Sequence, residues 1–414
     1  MKILFIHQNF PAQFKHLAPA LSQRGHNVKA LKLALDESII TWNGIQIHHY
    51  LPISESHADV IHPWVADFET KIIRAHSCLL AAEKIKNSGF YPEVIIAHHG
   101  WGESLFLKDL WPNSKLGIYC EFYYLLKDSD ASFDPEFKRL DQFDFCRLKL
   151  KNLNNDLHFP LVDKAISPTH WQASTFPLDF SSKISVIHDG INTKLLKPDN
   201  QASALLSNEI KLTSNDEVIS FVNRNLEPYR GYHIFMRCLP EVLSKNPNVR
   251  VLIIGGDQHS YGPKAPDGRT WKDIYASEIE PKLTIQQKQR IHFLGKIDYV
   301  NYISVLQISS VHVYLTYPFV LSWSLLEALS IGCSVIASDT KPLQEVIIDN
   351  ENGLLTNFFD HINLSKKILY LLKNNKLRKK LSINARNFVK EKYDLNTICL
   401  PKQIKWVESF HEGK

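Results

Sequence analysis

Short runs of Val, Ile and Leu recur along the chain, each followed by a longer amphipathic or turn-rich stretch. This is how parallel strands buried on both faces by crossover helices read in sequence, and few other architectures produce it. In the first half the pattern predicts strands at KILFIH, NVKAL, IQIHH, EVIIAHH, LGIYCEF, KAISP and ISVIHDG. In the second half it predicts strands at VISFVNR, VRVLIIGG, IHFLGK, VHVYLTYP, SVIASDT and GLLTN. The rhythm restarts midway, so the expected fold class is α/β, with two doubly wound, Rossmann-like domains facing each other across a cleft. The polar segment Asn192 to Asp216, with Pro198, Asp199, Asn200 and Asn208, reads as the boundary. The expected domains are 1–195 and 196–394, with 395–414 an amphipathic helix crossing back to the first domain. Charged and aromatic residues between Phe133 and Phe159 predict helical insertions.

Composition narrows the class. A chain of 414 residues that is 44% hydrophobic and 22% charged can bury two cores and carries no disordered or fibrous bias. The six cysteines, at 78, 120, 146, 238, 333 and 399, form no Cys-x-x-Cys pair and read as reduced thiols of a cytoplasmic protein. The opening MKILFIHQNF does not read as a signal peptide, and no run of about 18 apolar residues predicts a membrane span. A net charge of +5, with the basic excess in the second half, suits anionic ligands or an anionic membrane surface. No nucleic-acid signature accompanies it. Lys366 to Lys392, with KNNKLRKK inside, reads either as the solvated face of two helices or as a peripheral contact with the inner face of a membrane.

In open α/β sheets ligands lie beyond the carboxyl ends of the strands. Neither G-x-G-x-x-G nor G-x-x-x-x-G-K-[ST] occurs there, which weighs against dinucleotide and P-loop enzymes. The segment VISFVNRNLEPYRGYHIF offers Arg224 at a strand end and Arg230 before a helix start. Two guanidiniums and helical N–H groups suit a diphosphate; two solvated surface arginines are the plain alternative. In YLTYPFVLSWSLLEALSIGCSVIASD, Glu327 lies in an otherwise apolar helix. It reads either as an acceptor for two ribose hydroxyls or as an exposed or salt-bridged helix glutamate.

The order N-R-x5-R-G, a strand ending I-G-G at Gly255, F-L-G-K, and P-F-V-L-S-W-S-L-L-E-A-L-S-I-G-C-S-V-I-A-S-D resembles the C-terminal domain of glycosyltransferase family 4, retaining enzymes of the GT-B fold. The resemblance runs from about Val218 to Gly353, and V-I-I-A-H and V-I-H-D-G-I-N extend it more loosely into the first half. It implies that Arg224 and Arg230 bind the donor diphosphate and that Glu327, the second glutamate of E-x7-E, holds the nucleotide ribose. The first glutamate is replaced by Phe319, so sugar recognition would fall to the backbone of Val320 and Leu321 or to the hydroxyl of Ser322. A subgroup sharing H-Q-N-F-P, E-P-Y-R-G and T-Y-P-F-V-L-S-W-S-L-L-E makes that Phe an expected variant.

The implied function is transfer of a hexosyl group from a nucleotide diphosphate sugar to a glycan or lipid-linked acceptor, with retention and with no metal or other cofactor. His98 or His99, at the end of EVIIAHH, and Glu121, at the end of IYCEF, are candidates for a catalytic or acceptor-binding role; a buried structural histidine is the alternative at the first strand end. His7-Gln8-Asn9 after the first strand offers amides to a phosphate or forms an ordinary turn. Asp128-Ser129-Asp130 spells a metal-binding D-x-D but lies in a polar loop and is set aside as a metal site. The rival readings are a sugar-nucleotide epimerase or phosphorylase on the same architecture, and a nucleotide-sugar-binding module whose catalysis lapsed with Phe319.

Overall fold

The computed structural model describes residues 1–57, 59–137, 141–206 and 210–411. Asn208 of the boundary segment and the last residues of the 395–414 tail therefore lie outside the described residues. The chain divides into two compact units: Met1–Gly190 with Asn396–Lys414, and Ile191–Leu395.

Unit 1 is built on eight strands: β1 (Lys2–Ile6), β2 (Asn27–Leu33), β3 (Ile39–Trp42), β4 (Ile45–Tyr50), β5 (Val94–Ala97), β6 (Lys115–Tyr119), β7 (Lys164–Ser167) and β8 (Ile184–Val186). Their order is β3-β4-β2-β1-β5-β6-β7-β8. All neighbours run parallel except β3, which turns back antiparallel on β4. Ile3, Leu4, Phe5 and Ile6 are completely buried, as a central parallel strand covered on both faces requires. Each such side chain contributes about 1.5–3 kcal/mol by leaving water.

One cover comes from the end of the chain. The helix Leu400–Glu408 places Trp406 and Val407, with Phe410 just beyond it, in the same core cluster as Ile3, Phe5 and Ile96. It is tied down by Arg24 to Glu408 (2.8 and 3.2 Å) and by Lys164 Nζ to the Ser409 carbonyl (2.8 Å). Gly117 on β6 makes the approach possible: a Cβ there would stand 2.8 Å from Phe410 Cζ and 2.9 Å from Trp406 Cη2.

Unit 2 contains a hairpin of β9 (Ser203–Leu205) and β10 (Lys211–Thr213), then six parallel strands. These are β11 (Val218–Asn225), β12 (Arg250–Gly256), β13 (Ile291–Gly295), β14 (Val311–Tyr314), β15 (Val335–Ser338) and β16 (Leu354–Thr356), in the order β13-β12-β11-β14-β15-β16. The polar segment read as a boundary from Asn192 to Asp216 is thus part of unit 2. Its hairpin places Ala204, Leu206 and Leu212 in the unit 2 core beside Val218 and Leu252.

In both large sheets the strand order reverses beside the sheet's first strand, between β1 and β5 and between β11 and β14. In such sheets ligands bind outside the carboxyl ends of the strands, beside this reversal.

Candidate functional site

At the unit 2 switch point the turn after β11 sets the local geometry. Pro228–Arg230 form one turn of 3-10 helix, and Gly231 then enters the helix Tyr232–Lys245 with φ +68°. A Cβ on Gly231 would stand 2.3 Å from Leu315 Cβ, so glycine is required by both conformation and space. This turn drives Arg230 inward to 5% exposure. Its Nη1 donates to Thr316 Oγ1 (2.7 Å), the Val320 carbonyl (3.1 Å) and the Tyr314 hydroxyl (3.4 Å). The guanidinium also lies over the rings of Tyr261 (5.2 Å) and Phe319 (5.8 Å).

No carboxylate among the described residues forms an ion pair with Arg230. Glu227 acts on it only through space, and its Oε2 accepts from the amides of Ser260 (3.0 Å) and Tyr261 (3.3 Å). A buried cation held by neutral acceptors costs several kcal/mol that a bound anion recovers. Arg224 stands differently: it ends β11 on the exposed side, with no hydrogen bond or ion pair among the described residues.

Glu327 is 9% exposed on the helix Trp323–Ile331. Its two oxygens accept from the hydroxyls of Tyr299 and Tyr302, each at 2.7 Å. The sequence reading missed both tyrosines, although their i, i+3 spacing in D-Y-V-N-Y sets them on one helix face. Burial, followed by the charge of Glu327, raises the pKa of each phenol, so both remain donors. The carboxylate is neither exposed nor ion-paired, and each oxygen keeps a lone pair for a further donor.

Phe319 joins Tyr229 (5.5 Å) and Tyr261 (5.1 Å) in an aromatic wall beside Arg230. Of its polar neighbours, Val320 gives its carbonyl to Arg230. Ser322, expected to offer its hydroxyl to a sugar, has a local role as well. Ser322 Oγ caps the helix Trp323–Ile331 by accepting from Ser324 N–H (3.3 Å) and pairs with Ser324 Oγ (2.9 Å), while its own amide donates to the Tyr314 hydroxyl (3.1 Å). Gly255, which the family resemblance puts among the donor-binding residues, is also closely packed: a Cβ there would stand 2.8 Å from Leu226 Cδ2 and 2.9 Å from the Asn223 carbonyl. At the next residue, Gly256, a Cβ would come within 2.6 Å of Lys296 Cε, which places that lysine of F-L-G-K beside the strand end.

In unit 1 the loops after β5 and β6 border a cavity of about 220 Å³. His98 and His99 part ways there. His99 has both ring nitrogens committed, Nδ1 with the Tyr119 carbonyl (3.1 Å) and Nε2 with Asn155 Oδ1 (2.7 Å), and burial followed by the charges of His158 and His98 depresses its pKa. His99 is thus held by the protein at both nitrogens, whereas His98 is held at one. His98 Nε2 lies 3.5 Å from Glu121 Oε2, and its Nδ1 has no partner among the described residues. Burial opposes the charged ring, but Glu121 by hydrogen bond and charge, with Glu103, raises the His98 pKa above its usual value.

His7, after β1, packs edge-on to His98 at 5.0 Å, and burial together with the charge of His98 lowers its pKa to about 3. Its Nδ1 accepts from Asn9 N–H (2.8 Å), so the H-Q-N loop folds as a turn.

Comparison with known proteins matches two family models. Residues 24–196 match the glycosyl transferase family 4 group, and residues 204–388 match the glycosyl transferases group 1. The chain belongs to glycosyltransferase family 4. Among solved structures this family 4 chain is similar over its full length to sucrose-phosphate synthase from Thermosynechococcus elongatus (TM-score 0.74, 19% identity, 100% of both chains). It is similar, again over 100% of both chains, to Anabaena HepE in complex with UDP (TM-score 0.66, 15% identity). These likenesses establish the fold as GT-B.

Curated relatives include an uncharacterized glycosyltransferase of Methanocaldococcus jannaschii, 35% identical over 105 residues, or 25% of this chain and 27% of that one. A phosphatidyl-myo-inositol mannosyltransferase of Mycolicibacterium smegmatis is 25% identical over 165 residues, 39% of this chain and 37% of that one. The chain thus spans well under half the length of the curated relatives it matches. Among the described residues no helix is long and apolar enough to cross a membrane.

Proposed function

We propose that this family 4 chain transfers a hexosyl group from a nucleotide diphosphate sugar to a hydroxyl of a glycan or lipid-linked acceptor, with retention at the anomeric carbon. The observation that carries the reading is Arg230, a buried guanidinium at the unit 2 switch point without a carboxylate partner among the described residues. A diphosphate supplies the anion it lacks. Anabaena HepE, whose fold this chain shares, has been crystallised with UDP and with UDP-glucose, which favours the same class of donor here.

In this reading Arg230 and Arg224 hold the diphosphate, and Lys296 stands near enough to the β12 end to add charge. Glu327, fixed by Tyr299 and Tyr302, accepts from the ribose hydroxyls with its remaining lone pairs. The sugar lies against the aromatic wall of Phe319, with the Val320 and Leu321 backbone nearby. As the bond between the anomeric carbon and the β-phosphate oxygen breaks, its electron pair passes to that oxygen, where Arg230 stabilises the charge. The acceptor oxygen bonds to the anomeric carbon on the same face and its proton leaves to the departing phosphate. His98 and Glu121 orient the acceptor in unit 1. The charge on the leaving group is met by guanidinium, which gives a bound metal no necessary task.

Incubation of the purified chain with UDP-, GDP- and ADP-sugars, read by nucleoside diphosphate release and by the anomeric coupling of the product, tests the reading. Release from one donor with an axial-to-axial or equatorial-to-equatorial product is expected. No thermal stabilisation and no release with any donor would overturn it.

A further inference from the structure

A cavity of about 490 Å³ opens at the other end of the unit 1 sheet. Met1, Val94 and Lys115 on its wall stand at the starts of β1, β5 and β6. Those strands run parallel, so the cavity faces their amino ends, opposite the loops that carry His98 and Glu121. In size it falls among small-molecule sites.

Its apolar surfaces are preformed. Trp111, 4% exposed, closes the short helix Leu107–Leu110 and donates its amide to the Leu107 carbonyl (2.9 Å). Phe410 comes from the end of the chain and stands edge-on to Trp406 at 5.3 Å. The strand-end loops are tied together by the Ser114 hydroxyl, which donates to the Pro92 carbonyl (2.5 Å). Rigid walls spare a ligand the cost of ordering them.

Two donors on the wall are unspent. The Trp111 indole Nε1–H is buried and has no acceptor among the described residues. Lys86, on the helix Ala66–Asn87, has no carboxylate partner among the described residues; its Nζ donates to the Leu110 carbonyl (3.2 Å), which sets the ammonium beside the residue that carries the indole. A carbonyl orients an ammonium without neutralising it. The other ionised groups are engaged: Lys115 pairs with Asp163 (2.9 Å), the Met1 amino group meets His26 Nδ1 (3.1 Å), and Glu93 Oε2 accepts from the Lys2 amide (2.8 Å). A ligand with an anionic acceptor answers both remaining donors at once, and a buried donor left unmet is costly.

We propose that this cavity is an effector site for a small apolar acid, with a ring against Trp111 and Phe410 and its carboxylate shared by Lys86 Nζ and Trp111 Nε1. The proposal does not depend on the transferase reading. A ligand seated on Phe410 binds only the chain whose C-terminal segment is docked, so it stabilises that docking.

Calorimetry on the full chain with naphthylacetate, its uncharged counterpart naphthylacetamide, and acetate tests this. The acid is expected to bind roughly tenfold or more tightly than the amide, and acetate not measurably. Lys86→Gln should bring the acid down to the affinity of the amide, and Trp111→Phe, which keeps a ring and removes the N–H, should weaken the acid several-fold. Lys86 is only half-buried, so its variant remains informative if Trp111→Phe loses thermal stability. Bound naphthylacetate should also slow hydrogen exchange in peptides spanning 107–115 and 400–410. Three results would overturn the proposal: acid and amide binding equally or not at all, Lys86→Gln keeping the preference for the acid, or protection confined to peptides outside 86–115 and 400–410.

Discussion

The two switch points occupy equivalent places in two similar sheets, yet their electrostatics are opposite. At the unit 2 crevice a single cation is buried among hydroxyls, a carbonyl and aromatic rings, with its charge unspent. At the unit 1 crevice several histidines are buried, most of them held neutral, and His98 is paired with Glu121. The fold supplies the location in both cases, and the loops decide the chemistry. One crevice is suited to a departing anion, the other to a hydroxyl that must be oriented.

The largest test of this contrast is acid. His7 is depressed to about 3, and His48, His158 and His188 to about 4, in each case first by burial. All four belong to unit 1; in unit 2 His312 falls to about 4 and His292 is lowered. A ring kept neutral in the fold takes up its proton only on unfolding, so its stabilising contribution is full above pH 6.5 and is lost as pH falls toward about 4. His98 works the other way: its contribution is present in acid and lost as pH rises through its elevated pKa. Unit 1 should therefore open before unit 2 between pH 6.5 and 4, as read by hydrogen exchange of peptides from each unit. Earlier opening of unit 2 would break the comparison.

The next largest effect is at Arg230. Replacing it by Met should weaken nucleoside diphosphate binding by about 2–3 kcal/mol, the loss of charged hydrogen bonds, while the ligand-free chain melts no lower than the parent. A strongly destabilised ligand-free variant would mean that the guanidinium is a structural tie for Thr316 and Val320.

Glu327→Ala should cost about 1–3 kcal/mol in nucleotide affinity and Tyr299→Phe about 1 kcal/mol, whereas Phe319→Ala should change sugar preference or turnover more than nucleotide affinity. Equal nucleotide affinity in Glu327→Ala would confine that carboxylate to holding two tyrosines. The smallest expected effect is none: EDTA should leave transfer unchanged, and restoration of lost activity by manganese would return Asp128 and Asp130 to consideration.

The strands of both sheets were legible because fully buried parallel strands are near-continuous apolar runs, as in KILFI and VISFV. The strands β3, β9 and β10 were not. They are three or four residues long, and β3 is largely exposed, so no periodicity marks them. Arg230 and Glu327 could be singled out from spacing and residue type. What surrounds them could not: Tyr299 and Tyr302 meet Glu327 from 28 and 25 residues away, through tertiary packing alone. The choice between His98 and His99 was equally hidden, since adjacent residues at a strand end point in different directions. The capping role of Ser322 was likewise not legible, since helix capping and sugar binding call for the same hydroxyl.

The docking of Trp406, Val407 and Phe410 onto β6 has a consequence for biogenesis. Unit 2 is encoded as one uninterrupted stretch, but unit 1 is split around it, and its last core residues emerge only after all of unit 2 has been synthesised. On the ribosome the later-encoded unit can therefore reach its native packing first. The earlier one must wait, with the face around Gly117 uncovered, for about two hundred residues of elongation, on the order of tens of seconds at ordinary translation rates. During that interval an apolar β-sheet face stands exposed, the kind of surface on which nascent chains aggregate.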